Sequence, residues 1–339
     1  MRKLNVKLKT TVCLLLAAVL LCGMLGCSGA DVGTTENGNG GASGKTRIAA
    51  LKGPTGVGMA KLTADDDAGA EKQYEVTFSS SPEDVKAGIL NGSYDIAAIP
   101  TNLAATLYNK AKAEIAVLAV NTYGVLYVLE DGDTVHSVED LRGKTLYATG
   151  QASTPEYILD YVLKQNGMTP GEDVEIRFVA EHAELAAQLS VKNVSLGMLP
   201  EPNVTSAILQ SGGALRVALD LTKEWKKINK DTEIMQGCIV VSKAFLAQHP
   251  EKVDRFMTDC EASVTYVREH PEEAAGYCET YGIIPKAALA QKAIPNCSLT
   301  FVTGAELKTK LNAFLAILFE ADPSSVGGML PDDGFYAER

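Results

Sequence analysis

The chain is short of the residues that most catalytic and metal chemistry needs. Its 339 residues include four histidines, seven cysteines and a single tryptophan. No two cysteines form a CxxC pair and none stands at zinc-ligand spacing, which argues against a zinc module. There is no GxSxG elbow and no HExxH helix. Positive charge is also scarce. The 31 lysines and arginines face 42 acids, and four of those bases lie in the first 26 residues. The remainder carries about −15 formal charges, and neither nucleic acid nor an anionic lipid surface is drawn to such a face. The longest apolar run, Val12 to Leu25, falls short of the roughly 20 residues that span a bilayer.

That run follows Arg2, Lys3, Lys7 and Lys9 with no acid between, the pattern of a secretory signal. It ends in MLGCSG, which resembles the lipobox of bacterial lipoproteins and predicts cleavage before Cys27 and lipidation of that residue. The next stretch, SGADVGTTENGNGGASGK, cannot bury enough apolar surface to offset its ordering entropy, and reads as a flexible tether over 27–45. Signal, anchor and tether place the globular part on the extracytoplasmic face of the cell membrane. Cys13 and Cys22 leave with the leader. Cys238, Cys260, Cys278 and Cys297 remain, either as disulfides, which an oxidising compartment permits, or as buried thiols.

From Lys45 onward strand and helix signals alternate. RIAAL (47–51), YEVTFS (74–79), YDIAAI (94–99) and EIAVLAV (114–120) read as strands, with helices after Val57, over 82–90 and over 102–108. Near-continuous apolar strands separated by helices imply a mostly parallel sheet covered on both faces. The order then repeats: strand 145–149, a helix capped by Ser153 or Thr154 and closed at Gly167, strand 174–179, helix 183–191, strand 194–199, helix 203–210 and strand 215–219. YDIAAIPTN (94–102) aligns without gaps on VSLGMLPEP (194–202), placing Asp95 on Ser195 and Pro100 on Pro200. The repeat predicts two similar lobes. A strand within 235–245 and helices near 250–269, 271–280, 285–292 and 304–320 form a tail that packs back on the first lobe. The chain therefore crosses between lobes twice, near 121–128 and 219–237.

In open α/β sheets, ligands sit outside the carboxyl ends of the strands, where helix N-termini offer unpaired N–H groups. Four loops should line such a crevice: 52–58, 100–102, 150–154 and 200–202. The first, GPTGVG, looks like a nucleotide loop. However, Lys61 stands where GxGxxG needs its last glycine, and Gly58 is followed by Met59 rather than Lys-Ser or Lys-Thr. GASGKT (41–46) has Asn39 in place of the first P-loop glycine and precedes a strand. GPTGVG is therefore a loop of backbone donors, with Thr55 adding a hydroxyl. His136, His182, His249 and His270 read as surface or capping residues, although His182 starts a helix near the crevice. Asp65-Asp66-Asp67 reads as a solvated loop, since adjacent carboxylates splay apart and EF-hand spacing is absent. Trp225 reads as a packed helix anchor. Glu201 is either a carboxylate that accepts from a ligand or an exposed acid in the first turn of a helix. No arginine falls in the four loops, so a bidentate anion clamp is not visible; its absence favours a neutral or ring-containing solute.

Four stretches, VEDLRGKTLYATG (138–150), GSYDIAAIPTNLA (92–104), GMLPEPNV (197–204) and VVSKAFLAQHPEKVDRFM (240–257), resemble the substrate-binding lipoproteins of bacterial ABC importers. The likeness is to the nitrate/sulfonate/taurine type, which shares its fold with thiamine-pyrimidine-synthase-like proteins, and it covers residues 46–338. Ser195 departs from the aspartate usual in that family. The resemblance implies a two-lobed periplasmic-binding-protein type 2 fold. Lobe 1 would comprise 46–122 plus 238–339, and lobe 2 would comprise 123–237. It implies ligand contacts at Thr55, Gly56, Asn102, Thr154 and Glu201, with Thr101 and Ser153 beside them. It also implies a small-molecule solute, an ABC permease with its ATPase as partners, a monomer, and no cofactor or catalytic group. A same-fold enzyme and a sensor for a membrane receptor are the alternatives.

Overall fold

The computed structural model describes residues 44–337; the signal, the lipidation site at Cys27 and nearly all of the tether lie outside them. The first stretch runs β1 (Thr46–Leu51), α1 (Pro54–Val57), α2 (Ala60–Ala68), β2 (Tyr74–Ser79), α3 (Pro82–Leu90), β3 (Ile96–Pro100), α4 (Thr101–Asn109) and β4 (Ile115–Tyr123). Local chemistry fixes several of these boundaries. The Ser81 hydroxyl accepts from the Asp84 amide at 3.1 Å, Pro82 fills the first turn, and Glu83 and Asp84 face the positive end of α3. In β3 all residues but Pro100 are buried, which demands cover on both faces.

The second stretch runs β5 (Leu126–Glu130), β6 (Thr145–Ala148), α5 (Thr154–Gln165), β7 (Glu175–Phe178), α6 (His182–Ser190), β8 (Leu196–Pro200), α7 (Asn203–Gln210), β9 (Arg216–Asp220) and α8 (Leu221–Ile228). Ile158, Leu159, Val162 and Leu163 form the buried stripe of α5. The chain then returns through β10 (Met235–Ser242), α9 (Lys243–Gln248), α10 (Pro250–Glu269), α11 (Pro271–Thr280), α12 (Ala287–Ala293), β11 (Leu299–Val302) and α13 (Gly304–Ala321).

Two mixed sheets flanked by helices result. The six-stranded sheet has the order β11-β4-β10-β3-β1-β2 and the five-stranded sheet β7-β6-β8-β5-β9. β1, β2 and β3 pair in parallel, while β10 lies antiparallel between β3 and β4. β6, β7 and β8 are likewise parallel, with β5 antiparallel between β8 and β9. The reversed strands β10 and β5 each carry the chain in from the other sheet, and the larger sheet has a second reversed strand, β11, at its edge. The crossings are shorter than the sequence implies: residues 124–125 separate β4 from β5, and residues 229–234 separate α8 from β10.

Trp225 is fully buried at the second crossing. Its indole N–H donates to the Thr232 carbonyl at 2.8 Å, and its ring lies 5.0 Å from Tyr161 of α5 and 5.6 Å from Phe314 of α13. The anchor reading therefore holds. One expectation does not. Asp65, Asp66 and Asp67 lie in the last turns of α2, not in a loop. Only Ala60, Leu62 and Thr63 of that helix are buried, so the sequence carries little helical periodicity there. Asp66 ties the following chain back by accepting from the amides of Gln73 and Tyr74 at 2.7 and 3.3 Å. Cys238, Cys260, Cys278 and Cys297 are all buried free thiols, and burial pushes the Cys278 thiol up to about 12.

Candidate functional site

The carboxyl ends of β1, β3, β6 and β8 bring the two sheets together. Gly53 follows β1 with φ of 101°, a conformation glycine adopts without strain. A Cβ at that position would lie 3.8 Å from the Pro202 ring, in the loop after β8. Across the same junction the Asn102 side-chain oxygen accepts from the Thr154 hydroxyl at 2.7 Å and from the Thr154 amide at 3.2 Å. Both residues are buried. Asn102 is the second residue of α4 and Thr154 the first of α5, so each stands at a helix N-terminus, where backbone N–H groups lack intrahelical partners.

The other residues singled out in the sequence surround this contact. The Thr55 hydroxyl donates to the Leu51 carbonyl at 3.0 Å, and the Thr55 carbonyl accepts from the Asn121 amide at 3.1 Å. Gly56 is packed inward: its N–H donates to the Gly53 carbonyl at 3.0 Å, and its α-carbon faces the Leu51 carbonyl and the Phe78 ring. The Thr101 hydroxyl donates to the Met235 carbonyl at 2.5 Å, joining α4 to the start of β10. Ser153 caps α5 by position, but its hydroxyl donates backwards to the Gly150 carbonyl at 2.7 Å.

Glu201 departs from the simple picture of an exposed first-turn acid, being only 2% exposed. Its carboxylate accepts from the Thr205 amide at 3.2 Å and the Thr205 hydroxyl at 2.9 Å, in the first turn of α7. Burial pushes the Glu201 carboxyl up to about 7, against the opposing pull of Thr205 and the Asn296 side chain. The Glu201–Pro202 peptide bond is cis.

Two further residues of this region, Asn121 and Gly237, were not legible, and a third, His182, was legible only as a helix start near the crevice. Asn121, 1% exposed, holds the Thr55 carbonyl from the end of β4. Gly237 lies at a register shift in β10, where a Cβ would come within 2.5 Å of the Thr55 methyl and 3.1 Å of the Asn121 oxygen. His182 begins α6 as expected, and its Nδ1 lies 2.7 Å from the Thr149 hydroxyl at the carboxyl end of β6. Burial lowers the His182 pKa, opposed by Glu181, so the ring is neutral at neutral pH. The one signal in the sequence was its position at a strand-to-helix junction.

Among the described residues no cluster of three or more His, Cys, Asp or Glu could hold a metal ion, and no helix is long and apolar enough to cross a membrane. What the region offers is hydroxyls, side-chain amides, two helix N-termini and one buried carboxyl. Such a set binds and orients polar solutes.

Comparison with known proteins points the same way. A crystal structure of an ABC transporter from Parabacteroides distasonis superimposes with a TM-score of 0.74 at 24% identity, covering 87% of this chain and 99% of that one. The periplasmic aliphatic sulphonate binding protein SsuA from Escherichia coli gives a TM-score of 0.67 at 16% identity, covering 84% and 90%. The periplasmic nitrate-binding protein NrtA from Synechocystis PCC 6803 gives 0.61 at 14% identity, covering 84% of each chain. These establish the fold, that of two-lobed periplasmic binding proteins. A search of curated proteins found no match. The family model described as "ABC transporter, phosphonate, periplasmic substrate-binding protein" matches residues 59–283, more than half of the chain, and the chain accordingly belongs to this family of ABC-transporter substrate-binding proteins.

Proposed function

We propose that the chain captures a small organic solute or anion between its two sheets and delivers it to an ABC permease powered by an ATPase. In this reading lobe 1 is 46–122 plus 238–339, lobe 2 is 123–237, and the short crossings at 124–125 and 229–234 act as the hinge. Contacts to both lobes favour the closed over the open arrangement in proportion to their differential energy. The protein binds rather than transforms its solute, acts as a monomer, and is held to the membrane through a lipid on Cys27.

The observation that carries this reading is the Asn102–Thr154 contact. The Thr154 amide and hydroxyl both point at one oxygen that belongs to the opposite sheet. An oxygen of a phosphonate, sulfonate or nitrate would take the same two donors. A helix N-terminus supplies the positive field that the absent arginines do not. Thr55, Gly56, Thr101 and Ser153 shape the loops on either side, and Glu201 offers an acceptor for an amine or hydroxyl of the solute.

Calorimetric titration with alkylphosphonates, taurine, other alkylsulfonates, nitrate and pyrimidines is the test. Thr55→Ala combined with Glu201→Ala should weaken the binding of whichever solute is taken by at least about tenfold, since each lost hydrogen bond contributes about 1 kcal/mol. Unchanged affinity would remove these two residues from the site. Failure of every solute class to bind would remove the function.

A further inference from the structure

Glu201 combines three features. Its carboxyl is buried, its hydrogen bonds come from Thr205 and the Asn296 side chain, and among the described residues no cation acts on its charge. Moreover, its burial comes from both halves of the molecule. Glu201 and Pro202 follow β8 of the five-stranded sheet, but Pro202 faces Gly53 from the end of β1. The following helix, α7, packs on α12 of the tail. Asn296, in the 3-10 turn Ile294–Asn296 after α12, reaches the carboxyl with its side chain, and Cys297 lies beside it. Cys297 is packed in one core cluster with Val57 and Ala60, which follow β1. Separating the sheets would therefore admit water to this carboxyl.

The neighbouring groups leave Glu201 alone to titrate near neutrality. Tyr127 on β5 is pushed up to about 12, chiefly by burial and further by Asp220 and Glu201. Burial also holds the Cys297 thiol well above its ordinary range, and Glu201 adds to the shift. Both stay uncharged throughout the physiological range, and Thr205 and Asn296 carry no charge at any pH. Asp220 acts on Tyr127 rather than on Glu201 directly. No cation in the cluster neutralises a negative charge on Glu201, and the hydrogen bonds from Thr205 and Asn296 offset its burial only in part.

We propose that Glu201 is a proton-operated latch: the crevice closes as this carboxyl takes up a proton and opens as it releases one, so a solute is held more firmly in mildly acidic than in alkaline surroundings. The chemistry is a plain acid–base exchange with water. A solvated carboxylate faces the open crevice, and an uncharged carboxylic acid sits in the closed one. The proposal rests on the reading of this crevice as a solute site that opens and closes.

The linkage has a definite sign. A carboxyl whose pKa is raised on closing favours the closed form fully below its ordinary value of about 4.5 and loses that preference as pH rises through about 7. The experiment uses the full-length protein without solute, in two readouts. In carbon-13 NMR the Glu201 carboxyl, assigned by its loss in Glu201→Gln, should titrate with a midpoint near 7. In X-ray scattering the wild type should expand between pH 6 and 8.5, while Glu201→Gln, an uncharged isostere, should stay compact throughout. A midpoint near 4.5, a wild-type profile independent of pH, or a variant that expands with the wild type would each overturn the latch. Because no solute is present, the result is independent of whether any tested solute binds.

Discussion

The two sheets follow one plan and differ in how they finish it. Aligned on their parallel strands, the orders β2-β1-β3-β10-β4 and β7-β6-β8-β5-β9 coincide strand for strand, including the reversed strand next to last. The larger sheet then adds β11 outside β4, and Ala337 donates to the Val117 carbonyl along the same strand. The smaller sheet stops at β9, which leaves Val217 exposed. A duplicated binding-protein half is thus complete with five strands. The extra strand and helices on the first half cover an edge that would otherwise be open to pairing.

The halves also place their ionic anchors differently. In the larger sheet Asp95, just before β3, accepts from the Arg47 backbone amide at 2.8 Å and from its guanidinium at 3.1 and 2.5 Å. The aligned position before β8 is Ser195, whose carbonyl accepts from the Asp131 amide at 2.8 Å. The smaller sheet instead uses Glu130 at the end of β5, held by the Thr134 amide and hydroxyl, the Val135 amide and Arg216 of β9. The departure from aspartate at Ser195 is therefore matched by an anchor on the neighbouring strands, which explains why it leaves the fold intact.

This contrast can be broken directly. Asp95→Ala should destabilise the protein by about 3 kcal/mol, because it strands a partly buried guanidinium and a backbone amide. Ser195→Ala should stay within about 0.5 kcal/mol, because the anchoring there uses its backbone. Equal shifts in the urea midpoint would mean that the two positions still do the same job. A smaller effect separates two glycines. Gly237→Ala drives a Cβ to 2.5 Å from Thr55 beside the Asn121 side chain, whereas Gly197→Ala, in β8, meets only the end of Leu189 at 2.9 Å. The first should cost about 2 kcal/mol and weaken solute binding; the second should cost less than about 1 kcal/mol and leave affinity unchanged. The reverse order would show that the Thr55–Asn121–Gly237 packing is loose.

Much of this architecture is legible in the residues. The helices Pro82–Leu90, Asn203–Gln210, Pro250–Glu269 and Pro271–Thr280 fall where caps, prolines and apolar spacing put them. β5 escaped because LYVLE follows β4 after only two residues, so the two runs read as one crossing segment. β11 escaped because four residues, LTFV, carry too little pattern. The loops of the candidate site were legible from strand-end logic, but their connections were not. Asn121 at the end of β4, Gly237 in β10 and Asn296 in the tail come from distant parts of the chain and meet Thr55 and Glu201 only in the folded molecule. No local periodicity encodes such a meeting. The burial of Glu201 was equally invisible, since a carboxylate after Pro200 carries the same letters whether it faces water or a neighbouring helix.

The central claim, that a captured solute draws the two sheets together, is tested most directly by X-ray scattering of the purified protein at constant pH during titration with the phosphonates, sulfonates and nitrate named above. The account predicts a saturable fall in radius of gyration with one of these solutes, abolished when Thr55 and Glu201 are both changed to alanine. Profiles that superimpose with and without a solute whose binding calorimetry has established would contradict it.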